Sequence, residues 1–152
     1  MAMPVEKTVK ITLPSQFEWT KNPNGSDMAL LKGNFSDVGV QHVFRVKWPK
    51  GMKMMPHTHP DERTVTVMSG SYGFAEGSVF DPAKLKPYPA GAMIVVPAGV
   101  PHYGGSEEGA EFQEMGMSPT STDWIPQPAE VRKPAAPTAP APAPAKPASQ
   151  KK

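Results

Sequence analysis

Over the first 125 residues, apolar side chains come in short alternating runs rather than in a helical stripe. Gln41 to Trp48 sets Phe44, Val46 and Trp48 against Val43, Arg45 and Lys47, the period of two expected of a half-buried strand. Arg63 to Met68 repeats the pattern, with Val65 and Val67 on one face and Thr64 and Thr66 on the other. Val9 to Leu13, Met28 to Lys32, Tyr72 to Ala75, Met93 to Val96 and Glu111 to Met117 are further strand candidates. Turn residues divide them: Pro14, Asn22-Pro23-Asn24-Gly25, Pro49-Lys50-Gly51, Ser69-Gly70 and Gly91. Asp81 before Pro82 predicts one short helical turn, because Asp caps a helix start and proline suits the first helical position. No helical period persists for twelve residues. The pattern predicts an all-β barrel or sandwich of antiparallel strands with at most one short helix.

That pattern stops at Ile125. From Pro126 to Lys152 there are eight prolines and eight alanines, and Val131 is the one large apolar residue. Such a segment has too little apolar surface to offset the entropy of ordering it. The organisation expected is a flexible N-terminus over 1–7, a β-barrel over 8–125 and a disordered Pro/Ala/Lys tail over 126–152. The tail carries a net charge of +4 and the whole chain +2, which leaves the body at −2. The basic character therefore belongs to the tail, which argues against a nucleic-acid-binding surface on the folded body. There is no cysteine, so disulfide and thiol chemistry are excluded. No run reaches the roughly 18 to 20 apolar residues of a membrane span, and no apolar h-region opens the chain. These features lead us to expect no membrane insertion, no targeting segment in this chain, and a cytoplasmic or, after removal of a signal, a periplasmic protein.

The chemistry lies in four histidines, His42, His57, His59 and His102. His57 and His59 are spaced to share one strand face, so both imidazoles can reach one ion. His102 follows a tight turn, Pro97-Ala98-Gly99-Val100-Pro101, that can aim it back into a barrel mouth. His42, alone in its strand, reads as a packed or exposed residue. The methionines at 52, 54, 55, 115 and 117 read as core filler rather than as copper ligands.

Gly51-x5-His57-x-His59 followed by Gly70 resembles the first motif of the cupin superfamily, and Gly91-x5-Pro97-x-Gly99-x2-His102 resembles the second. Only the final Asn of the second motif is missing, its place taken by Ser106. The resemblance extends over most of residues 8–120. It implies a jelly-roll β-barrel in which His57, His59 and His102 bind one divalent transition-metal ion (Fe, Mn, Zn, Ni or Cu). Cupins usually add a glutamate ligand, but counting back from Gly70 puts Arg63 at that position, beside Asp61-Glu62. A bulge at Pro60-Asp61 would be needed to turn Glu62 inward as a fourth ligand.

A guanidinium about 6 Å from a divalent ion is repelled by about 5 kcal/mol at an effective dielectric near 20. Arg63 must therefore pair with Asp61 or Glu62, or face an anionic ligand, or the site holds no metal. Cysteine dioxygenase-like cupins resemble this arrangement in having three histidines and no acidic ligand. The resulting expectation is a metal-dependent, dioxygenase-like oxidoreductase acting on a small organic, possibly anionic, molecule. In it, Arg63 orients a carboxylate and Tyr103 lies near the substrate. The alternative is a non-catalytic small-ligand or metal-sensing cupin module. The resemblance also implies a homodimer formed through edge strands.

Overall fold

The computed structural model describes residues 7–132. Ten antiparallel strands form two sheets that share one long strand. They are β1 (Thr20–Lys21), β2 (Asp27–Lys32), β3 (Gln41–Trp48), β4 (Met52–Thr58), β5 (Arg63–Glu76), β6 (Lys86–Pro89), β7 (Met93–Val96), β8 (His102–Ser106), β9 (Ala110–Met117) and β10 (Asp123–Trp124). One sheet runs β1-β2-β3-β9-β5, with β7 also on β5, and the other runs β10-β4-β8-β5, with β6 also on β5. The result is the expected jelly-roll. Short 3-10 turns occupy Pro14–Gln16 and Pro82–Lys84, and the second is capped by the Asp81 side chain as its sequence predicts. No helix among the described residues is long and apolar enough to cross a membrane.

The core follows the period-two faces. Phe44, Val46, Trp48, Val65, Val67, Tyr72 and Phe112 bury their side chains between the sheets. Trp48 stacks on Tyr72 at 4.8 Å, and Phe112 meets both edge-on. A smaller cluster of Ala75, Phe80 and Tyr103 forms separately.

Three local expectations change. Val9 to Leu13 forms no strand, and Val9 and Ile11 are exposed, because β-propensity alone supplies no pairing partner. The break expected at Ser69-Gly70 is instead a bulge inside one continuous strand, where the register against β9 shifts between Val67 and Ser69. Gly70 has φ 74°, and a side chain there would strike the Gly109 carbonyl, so the glycine marks a close approach and not a chain reversal. Residues 126–132, assigned to the tail by composition, are held in place. The Phe80 N–H donates to Gln127 Oε1 at 2.8 Å, Gln127 donates to the Ser78 carbonyl, and Val131 packs on the small cluster from a helix, α1 (Ala129–Arg132). Val131 is the one apolar residue that stood out there. The rest of the expected tail, 133–152, lies outside the described residues.

Candidate metal centre

β4 and β8 are neighbours, and their register pairs His57 directly with His102. Residues 45 positions apart in the chain are thereby brought to one spot. The irregularity in β4 does not fall at Pro60-Asp61, where a bulge would be needed to turn Glu62 inward; the register shifts between Met54 and His57, around Pro56, which cannot donate to a ladder. His59 lies just past the end of β4 and joins the pair. Candidate ligand atoms of His57, His59 and His102 all lie within 4.8 Å of one another, and all three residues are buried.

The proton positions on these rings follow from their partners. Nδ1 of His57 lies 2.7 Å from the Met55 carbonyl, Nδ1 of His59 lies 2.8 Å from the Ser121 carbonyl, and Nδ1 of His102 lies 2.9 Å from the Val100 carbonyl. A carbonyl oxygen only accepts, so each Nδ1 carries a proton and donates. In the neutral ring each Nε2 then keeps a bare lone pair. Burial lowers the pKa of His57 to about 3 and that of His59 to about 4, and it also lowers that of His102. The Arg63 charge lowers the pKa of all three further. Near neutrality the group therefore presents three uncharged nitrogen donors, a set suited to a borderline divalent transition metal.

The histidines border a cavity of about 550 Å³. Its walls are mostly apolar and include Met28, Phe44, Val46, Trp48 and Phe112. Arg63 and Glu114 are the charged residues on its lining.

Arg63 is buried and its donors are engaged. Nε donates to Asp61 Oδ2 at 2.8 Å, one terminal nitrogen donates to Glu114 Oε2 at 2.7 Å, and the other donates to Thr120 Oγ1 at 2.7 Å. Thr120 in turn donates to Asp61 Oδ1. Of the options open to Arg63 in the sequence, pairing with Asp61 is the one seen. Glu62 is exposed and stands outside the histidine group, because strand alternation points Asp61 and Arg63 inward and Glu62 outward. Tyr103 packs in the cluster with Ala75 and Phe80 and donates its hydroxyl to the Asp81 carbonyl, and it is among the residues that line the cavity. His42 is fully buried and packs against Phe35 and Phe44, with Nδ1 donating to Ser118 Oγ.

Sequence reasoning missed Glu114 and the segment 118–124. The signal for Glu114 was present, since it shares the inward parity of Phe112 within β9. Burial raises its pKa, against the opposing pull of Arg63. Gly116 continues that face: a side chain there would strike Asp61 Oδ2 and lie 3.0 Å from Arg63 Cδ. The segment 118–124 carried no comparable pattern. Its contacts are a backbone carbonyl at Ser121, a hydroxyl at Thr120, and Trp124, whose ring lies 5.2 Å from that of His57.

A family model described as the ChrR cupin-like domain matches residues 7–117. An RmlC-like cupin from Shewanella frigidimarina NCIMB 400 is similar in structure, with TM-score 0.59 and 18% identity over 72% of this chain and 91% of that one. The polyketide cyclase RemF from Streptomyces resistomycificus gives 0.63 and 15% over 78% and 86%. KdgF from a Halomonas species gives 0.59 and 14% over 73% and 96%. At such identities the likeness carries the fold alone. No curated protein matches the chain.

Proposed function

We propose, from the premise that the chain belongs to the ChrR cupin-like domain family, that it is a metal-binding cupin acting as a dioxygenase-like oxidoreductase on a small organic molecule. His57, His59 and His102 are the ligands in this reading. The observation that carries it is the set of three main-chain carbonyls that hold the Nδ1 protons and leave three Nε2 lone pairs together in one buried group. A divalent ion bound there supplies Lewis-acid and one-electron chemistry to whatever shares the cavity.

The rest of the work falls to the chain. The apolar walls exclude water and bury the bound molecule, and the backbone carbonyls keep each imidazole in its ligating tautomer. Arg63 is committed to Asp61, Glu114 and Thr120, so it supports the site from behind rather than seizing a free carboxylate. The exposed Met93 and Val95 on β7 support the pairing of two copies through this edge.

The test is elemental analysis of untagged protein after anaerobic reconstitution with Fe(II), Mn(II) or Zn(II), followed by oxygen-uptake measurements. About one equivalent of metal per chain is expected, and H57A/H102A should abolish it. Less than a tenth of an equivalent would end the metal reading. Among the described residues no carboxylate joins the three histidines, which favours a second reading, a metal-sensing or ligand-binding module, and one equivalent of metal without oxygen uptake on any small-molecule panel would select it.

A further inference from the structure

The three Nδ1 protons are not held in the same way. Met55 and Val100 each stand two residues before the histidine they orient, so the rings of His57 and His102 are aimed by their own stretch of chain. The Ser121 carbonyl lies 62 residues from His59 in sequence. His59 is also the one of the three that falls outside a strand, just past Thr58 at the end of β4. Ser121 lies in no strand either, in the segment between β9 and β10. The orientation of His59 therefore depends on where that segment is placed.

Thr120 fixes the placement from the adjacent residue. Its Oγ1 accepts from a terminal nitrogen of Arg63 at 2.7 Å and donates to Asp61 Oδ1, while its N–H donates to the Phe35 carbonyl at 3.0 Å. Asp61 is two residues after His59, so the contacts close a ring. It runs from His59 along the chain to Asp61, across the carboxylate to Thr120, on to Ser121, and back through its carbonyl to the His59 imidazole. Arg63 braces the ring by donating to both Asp61 and Thr120. Asp61 and Arg63 are buried, so removing the hydroxyl leaves two buried polar groups short of a partner.

We propose that Thr120 is a positioning residue for His59. Its hydroxyl ties the segment between β9 and β10 to Asp61 and Arg63, which keeps the Ser121 carbonyl on Nδ1 and the Nε2 lone pair beside those of His57 and His102. The consequence for metal binding rests on the reading above, whereas the clamp itself belongs to the metal-free chain. Valine has the shape of threonine and can make neither bond. With valine at 120 the carbonyl is released, and the imidazole is free to carry its proton on either nitrogen.

The test compares the full chain as wild type, Thr120→Val and Thr120→Ser. Nitrogen–proton NMR of the metal-free protein at neutral pH reads the tautomer of each imidazole. Wild type should carry the proton of all three rings on Nδ1. Thr120→Val should lose that single state at His59 alone, with His57 and His102 unchanged, and should bind Zn(II) about ten to a hundred times more weakly. Thr120→Ser keeps both bonds and should match wild type in both measurements. A wild-type His59 protonated on Nε2 overturns the assignment without any variant. So does a Thr120→Val that matches wild type, or one that disturbs the three rings alike. If valine prevents folding, Thr120→Ala takes its place in the same comparison. Zinc below a tenth of an equivalent in wild type removes the metal reading, and the tautomers of the metal-free protein still decide the clamp.

Discussion

Acid should destabilise the metal-free protein through its histidines, and by an amount that can be worked out. His57 and His59 have folded-state pKa values of about 3 and about 4 against 6.5 for the free side chain. A lowered pKa means that the unfolded chain binds protons which the native chain refuses. Stability is therefore full above the unfolded value of 6.5, falls as pH drops below it, and levels off only below the folded values. At pH 5 both imidazoles are mostly charged when unfolded and mostly neutral when folded, a loss of about 2 kcal/mol each and about 4 kcal/mol together relative to pH 7. That is a large part of the roughly 5 to 15 kcal/mol that holds a domain folded. With a urea dependence of about 2 kcal/mol per molar, the midpoint should move down by roughly 2 M. The assay is urea unfolding of EDTA-treated protein at pH 7 and pH 5, with H57N/H59N beside wild type. Asparagine keeps an N–H for the Met55 and Ser121 carbonyls but does not titrate. The difference between the two proteins isolates these histidines from His42, His102 and Glu114, which titrate in both. Equal pH dependence in wild type and variant would refute the reasoning.

Three further outcomes follow from the packing. Gly116→Ala should cost about 1 to 3 kcal/mol in urea unfolding, because its methyl group overlaps Asp61 Oδ2. Arg63→Met should cost about 3 to 5 kcal/mol at neutral pH by leaving Asp61 and Glu114 buried without their cation, and a loss under about 1 kcal/mol would show the pair to be solvated. A chain ended at Ile125 should melt several degrees below one ended at Arg132, since it loses the Gln127 hydrogen bonds and the Val131 contact.

The barrel was legible because buried faces obey a period of two, and Gln41 to Trp48, Arg63 to Val67 and Glu111 to Met117 all display it. The histidine group was legible through its spacing, although only the β4–β8 register explains why His102 meets His57. Where reading failed, the deciding contact was nonlocal. Val9 to Leu13 has strand chemistry but no neighbour to pair with. Glu114 could have been assigned by parity with Phe112, but its pairing with Arg63 spans two strands and has no local mark. Gln127 and Val131 sit in a composition that reads as tail, and two side chains suffice to hold that stretch.

The carbonyls of Met55, Val100 and Ser121 aim the imidazoles, and a carbonyl is common to every residue type. Point substitution at 55, 100 or 121 therefore leaves the aiming group in place, and these positions are free to drift without loosening the ring they orient. To re-aim an imidazole one must shift the main chain itself, by lengthening or shortening the loop between β9 and β10 or by moving the bulge around Pro56.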